Sequence, residues 1–177
     1  PLLDNDQICH CGKTGCLETG ASGSAIHRIF TEKLREGRAS LLSEKFSRGE
    51  EVSLVDILNA VNEEDVLAIE VVEEIGTVLG RALAGLINIF NPELVVIGGD
   101  VATVQEYLLL PVKSAIQKHS LNIVNKDTSI KFSKLGEKAG MRMSDFGLVF
   151  SGDLLNQCIG SSFTLRNTGI PHIGLYG

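Results

Sequence analysis

Apolar residues recur at helical spacing through much of the chain. Ile26, Ile29, Phe30 and Leu34 share one face, with Lys33 among them. They predict a helix that starts near Glu18 or Ser22, runs to about Glu36 and stops at Gly37. Residues 1–16 carry "DND" and a cluster of Cys and Gly, which predicts a loop. "SRGEE" is a turn, and Ser53 caps a short helix, "SLVDILNAV", with Asp56 three positions on. Asn62 opens the longest element, with Asp65 three positions later and Glu63 and Glu64 on the first turn. Val66, Ile69, Val72, Ile75, Val78, Leu79, Ala82, Leu86 and Ile89 carry that helix to Phe90, and Pro92 ends it.

Gly76, Gly80 and Gly85 interrupt this apolar face. Each costs about 1 kcal/mol relative to Ala inside a helix. Close approach of another backbone would explain them, either across a dimer interface or on the domain's own sheet. "ELVVIGG" is short and continuously apolar, the pattern of a parallel strand buried on both faces. "DVATVQEYLLLPVKSAIQKHSL" predicts a helix broken or restarted near Pro111. "TSIKFSKLG", with Ile130, Phe132 and Leu135, predicts a second strand, and "GEKAG" starts another helix. This alternation is an α/β layout with a right-handed crossover. Past Met143 turn residues recur every few positions, which fits a short helix and an irregular tail.

Charge and composition narrow the function. A net charge of −6 argues against a nucleic-acid surface on this segment. No apolar run is long enough to span a membrane, no signal peptide is visible, and the cysteine usage reads as cytoplasmic. The first residue is Pro1, not methionine, which suggests a piece of a longer protein.

The candidate chemistry lies in "ICHCGKTGCLETGAS". Cys9, Cys11 and Cys16 are too close together for an ordinary disulfide framework and suit a structural zinc. Gly12 and Gly15 let the chain fold back so that Cys16 reaches the same centre. No C-x-x-C pair supports a redox role. The alternative is three free thiols in a loop. No fourth ligand stands out. His10 would point away from a centre its two neighbours share, His27 sits on the following helix where it could face solvent, and His119, Cys158 and His172 are distant in sequence.

"CHCGKTGCLETGAS" resembles the cysteine signature of the ROK family (repressors, open reading frames and kinases). "GLINIFNPELVVIGGDV" resembles that family's passage from a long helix into a strand and a Gly-Gly turn, and "LGEKAG" its late helix start. The resemblance spans residues 1–142 and leaves 143–177 as a divergent tail. It implies an actin-like, ribonuclease-H-like fold with two α/β lobes around a sugar cleft. This chain is similar to the C-terminal lobe, with the long glycine-containing helix and the zinc-binding loop. The family's zinc is held by three cysteines and a histidine, and that histidine falls just before Pro1.

The resemblance also assigns roles. Glu18 corresponds to a carboxylate that accepts hydrogen bonds from sugar hydroxyls, against the plainer reading of a solvated first-turn acid. Gly98 and Gly99 correspond to the turn that borders the nucleotide in family kinases, against a plain strand-to-helix turn. Gly136 and Gly140 stand in a similar position. The catalytic aspartate and the phosphate-binding motif of the kinases, and the DNA-binding domain of the repressors, fall upstream. The segment alone is therefore expected to have no catalytic residue.

Two parent proteins fit. One is a sugar-responsive repressor, in which this lobe binds a sugar or sugar phosphate, dimerises, and meets operator DNA only through an N-terminal domain. The other is an ATP-dependent sugar kinase. Asp100 follows the glycine pair where kinases often carry a third glycine, and its charge works against ATP. That favours the repressor. A third reading, a lone metal-binding interaction domain, holds only if the chain is complete.

Overall fold

Helix α1 (Gly23–Arg35) begins where Ser22 accepts a hydrogen bond from the Ala25 amide, 3.1 Å away. It therefore starts at the later of the two predicted points. Leu17–Thr19 form a separate 3-10 turn that carries Glu18. In the computed structural model, residues 3, 5–121 and 128–132 are described, together with the backbone of 147–151. The predicted "GEKAG" helix and Leu135 lie outside these residues, as do Cys158, His172, Gly136 and Gly140.

Ser43–Ser47 form a short helix, α2, which no periodicity announced. Helix α3 (Leu54–Asn62) has the expected reciprocal cap. The Asp56 amide donates to Ser53 Oγ at 3.2 Å, and the Ser53 amide donates to Asp56 Oδ2 at 2.7 Å. Lys45 Nζ lies 2.8 Å from the same carboxylate. Lys45 first, then Ser53, hold the Asp56 carboxyl down to about 2. The cap's charge contribution is then complete above the ordinary carboxylate range and is lost as pH falls from about 4 to about 2. The pair is part-exposed, so the effect is small, about 1 kcal/mol or less. Asp56→Asn should flatten part of the acid limb of a thermal-stability profile between these pH values. An unchanged acid limb would contradict this reading of the cap.

Helix α4 (Val66–Phe90) starts later than the sequence predicts. Asn62 ends α3, and Glu63 and Glu64 form the link, not the first turn. Glu64 adopts a φ of 62°, which reverses the chain. Asp65 is itself the cap: 4 % exposed, it accepts from the Ala68 and Leu41 amides. At the other end Asn91 caps α4 in the left-handed region, one residue before Pro92.

Strand β1 (Leu94–Gly98) buries only one face fully, with Val95 and Ile97 at 0 % exposure. It pairs in parallel with β2 (Ser129–Phe132), Leu94 opposite Ser129 and Ile97 opposite Phe132. Its other edge pairs antiparallel with β3 (Gly147–Ser151), Leu94 opposite Ser151 and Gly98 opposite Gly147. The sheet is therefore mixed, in the order β2-β1-β3, and a strand stands where the tail was expected to hold a short helix.

Helix α5 (Gln105–His119) runs unbroken through Pro111. The interruption comes earlier, at Val104, where a 3-10 turn (Asp100–Val104) passes into the α-helix. Helices α4 and α5 pack closely. A β-carbon on Gly76 would meet Leu108 and Pro111 at 3.1–3.3 Å, and one on Gly80 would meet Val112 O at 2.5 Å. These two glycines admit α5, an element of the same chain, rather than the sheet or a second subunit. Gly85 has nothing within 4 Å of such an atom.

The core joins α1, α3, α4 and α5 to the β1 face through Phe30, Ile57, Ile75, Leu83, Ile97 and Leu108. Lys33 on α1 bridges Glu70 and Glu74 on α4 at 3.0 and 3.2 Å, and Arg38 Nη2 reaches Glu70 at 2.6 Å. Arg38 and then Lys33 hold the Glu70 carboxyl down to about 2. Among the described residues no helix is long and apolar enough to cross a membrane.

Candidate metal centre and ligand cavity

The cysteine loop is built by local hydrogen bonds. The Cys9 amide donates to Lys13 O and the Gly12 amide to Cys9 O, both at 2.8 Å. Ile8 and Thr14 face each other across an isolated antiparallel bridge. Gly12 and Gly15 hold φ of 79° and 71°, a region that strains a residue with a β-carbon. The fold-back expected of these glycines is thus present.

It brings Cys9, Cys11 and Cys16 together, with all three Sγ atoms within 4.8 Å of one another. Cys11 and Cys16 are in thiol contact at 3.5 Å. Thiolates on a tetrahedral zinc at about 2.3 Å would stand ~3.8 Å apart, so the cluster fits such an ion with small adjustments. Among the described residues no His, Asp, Glu or further Cys joins these three. His10 lies outside the cluster, as expected. His27 does not face solvent freely: its Nε2 lies 2.7 Å from Val52 O.

The thiols divide their charge unevenly. The Lys13 backbone amide, then Cys16 and Cys9, hold the Cys11 thiol below its usual range. The hydrogen bond to Cys11, then burial, push the Cys16 thiol up to about 11. A cation bound by the cluster would displace the Cys16 proton.

Glu18 follows two residues after Cys16, on the 3-10 turn. The turn is closed by the Thr19 amide and Thr19 Oγ1, which both donate to Cys16 O, at 3.1 and 2.8 Å. Glu18 lines a cavity of about 150 Å³ with Gln7, His10, Thr19, Ser24 and Arg28. A larger groove of about 880 Å³ runs between α1 and α4 and shares Gln7, Thr19 and Arg28 with it. The sequence reading missed His10 and Arg28 as cavity residues. No periodicity marks a turn residue as a cavity wall, and Arg28 reads as the ordinary partner of Glu32 four positions on.

Gly98 and Gly99 close β1 and line neither cavity. Gly99 has a φ of 90°, and Asp100 follows it as the first residue of a 3-10 turn. The glycine pair therefore does not feed an α-helix N-terminus, because α5 begins only at Gln105.

The family model described as "ROK family" matches residues 1–144. A second, "Stage V sporulation protein AD (SpoVAD)", matches residues 114–177. A glucokinase of Halalkalibacterium halodurans is 38% identical over 133 residues, which is 75% of this chain and 40% of that protein. The transcriptional dual regulator NagC of Escherichia coli K12 is 32% identical over 133 residues, 75% of this chain and 32% of that protein. Among solved structures, a ROK family transcriptional regulator homologous to E. coli Mlc superposes with a TM-score of 0.66 at 36% identity, covering 73% of this chain and 32% of that one. A ROK family glucokinase from Streptomyces griseus, solved with glucose and AMPPNP, gives 0.65 at 27% identity, over 75% and 44%. The chain thus spans under half the length of these relatives, which include both repressors and sugar kinases.

Proposed function

The chain belongs to the ROK family, and from that premise we propose that it is the sugar-binding lobe of a ROK protein, with Glu18 as the acceptor of sugar hydroxyls and a structural zinc on Cys9, Cys11 and Cys16. The observation that carries this reading is the placement of Glu18 directly after the thiol cluster and on the wall of a cavity. An ionised carboxylate accepts hydrogen bonds from two hydroxyls at once. A metal knot two residues earlier fixes where that carboxylate stands. The zinc would supply a cross-link in the loop rather than a reacting centre, since thiolate-rich sites are closed. The lobe assignment, with its actin-like architecture, belongs to the same proposal, as does assembly of the parent protein as a homodimer.

For the parent, the repressor is the reading that Asp100 favours. Asp100 is the first residue of the 3-10 turn after Gly99, so a negative charge, not the start of an α-helix, follows the end of β1. Operator DNA would be met through a separate N-terminal domain. The kinase reading keeps Gly98 and Gly99 as the nucleotide turn and is supported by likeness to the glucokinases.

The test is ligand-observed saturation-transfer NMR of the zinc-loaded chain with D-glucose and N-acetyl-D-glucosamine. Glu18→Gln should weaken the contact about tenfold or more, the loss expected for hydrogen bonds to a charged group. Zinc content should stay the same. Equal contact in wild type and variant would overturn the role of Glu18.

We further propose that 1–142 form this lobe and that 143–177 are a divergent tail, whose Gly147–Ser151 strand adds to the lobe's sheet beside β1. The ROK match stops at 144 and the second family match continues to 177. A chain ending at residue 144 should keep its zinc but unfold at a lower temperature, because it loses the strand paired along β1. Unfolding at the same temperature as the full chain would make that pairing dispensable to the lobe.

A further inference from the structure

We infer that Arg28 is a positioning residue, which locks the turn carrying Glu18 onto α1 through the Thr19 carbonyl. The inference rests on the reading of Glu18 as a sugar ligand and adds a residue to that site.

Arg28 Nη2 donates to Thr19 O at 3.1 Å. Thr19 is the residue after Glu18, and its carbonyl is the last one in the 3-10 turn. Arg28 Nη1 donates to both carboxylate oxygens of Glu32, at 3.3 and 3.2 Å. The guanidinium thus has one edge on the Glu18 turn and the other on its own helix. It is a planar fork with fixed donor directions, so holding Glu32 also aims the donor at Thr19.

The turn needs such a clamp. It has three residues, and 3-10 hydrogen bonds are poorer than those of an α-helix. On its N-terminal side Cys16 ties it to the thiol loop through the two bonds from Thr19. On its C-terminal side the Gly20 and Ala21 amides donate to Leu17 O, at 3.0 and 2.8 Å. These bonds close the turn on itself but do not fasten it to α1. Ser22 caps α1 only two residues after the buried Gly20. Leu17 packs the turn against the core, and Arg28, one and a half turns further along α1, reaches back to add a polar link. It stands where the small cavity and the larger groove meet. Its side chain is 33% exposed, so part of it faces the cavity beside Glu18.

The experiment compares Arg28→Ala, Arg28→Lys, Glu32→Gln and Glu18→Gln in the zinc-loaded chain. Amide hydrogen exchange at Gly20 and Ala21 reports the clamp directly, zinc content reports the loop, and saturation transfer from D-glucose reports the ligand. In Arg28→Ala, exchange at Gly20 and Ala21 should speed up about tenfold, the loss expected for one hydrogen bond from a charged donor. Glucose contact should fall several-fold while zinc per chain is unchanged. Arg28→Lys keeps a donor for Thr19 O and should recover part of both. Glu32→Gln removes the ion pair but leaves the bond to Thr19, and should move neither as far as Arg28→Ala.

Unchanged exchange in Arg28→Ala overturns the clamp. Faster exchange with full glucose contact, if Glu18→Gln abolishes that contact, overturns the positioning role of Arg28. Faster exchange with glucose contact unaffected by Glu18→Gln upholds the clamp and overturns the sugar role of Glu18 instead.

Discussion

Gly80→Ala should destabilise the protein by about 2–3 kcal/mol, at the upper end of ordinary overpacking, with a fall in Tm of roughly 5–10 °C. Its β-carbon would meet Val112 O at 2.5 Å, Ala115 Cβ at 2.7 Å and Val112 Cα at 3.0 Å. Two of these are backbone atoms of α5, which cannot rotate aside. Relief requires α4 and α5 to separate along the contact that seats Leu79, Leu83, Leu108 and Val112, all at 0 % exposure. Gly85→Ala is the internal control, on the same helix with nothing within 4 Å of the new atom. It should gain up to about 1 kcal/mol from helix propensity alone. Thermal denaturation of the two variants checks the pair. Equal effects would mean that the α4–α5 contact is not as close as described.

The same helix shows what the sequence could and could not reveal. Its apolar stripe from Val66 to Phe90 is legible because a helical period over 25 residues has no competing interpretation. The partner of its glycines is not, because a glycine announces close approach without saying to what. Its start was misplaced for a physical reason. Asn62 and Asp65 are both good capping residues with apolar runs on either side, and only the left-handed φ of Glu64 separates α3 from α4. Pro111 misled in the opposite direction. Proline lacks an amide hydrogen, yet here it sits inside α5, close to where a β-carbon of Gly76 would be. Helix α2, with five residues, is too short to show a period, and β3 lay in a stretch whose turn residues hid it. In the site, the cysteine cluster is visible because chelation fixes spacing along the chain, whereas Glu18 is singled out only through the resemblance to the ROK cysteine signature. Arg28 and His10 were not visible, because their meeting with Glu18 depends on how α1 folds back over the loop.

Removing the three thiols proposed to hold zinc is the second large effect. Replacing Cys9, Cys11 and Cys16 together with serine should take bound zinc from close to one per chain to none. Soft thiolates make the site selective for zinc, and serine hydroxyls at neutral pH do not replace them. Because a structural metal binds the folded loop and not the unfolded chain, its binding free energy is folding free energy for that loop. The consequence is local. The loop from Ile8 to Cys16 contributes few residues to the core, whereas α1, α3, α4 and α5 hold theirs independently. The helical core should therefore survive, while amides from Cys9 to Thr19 lose protection. Elemental analysis and hydrogen exchange together check this. Zinc-free wild-type protein with full protection of the loop would remove the metal from the account.

That local loosening reaches Glu18, since Thr19 closes its turn on Cys16 O. The decisive measurement is saturation transfer from D-glucose to the zinc-loaded chain, to the same chain after chelation, and to the chain after zinc is restored. If the thiol cluster poses Glu18 at a sugar site, contact is present, lost and regained. Contact of equal strength in all three samples, or in none, would contradict it.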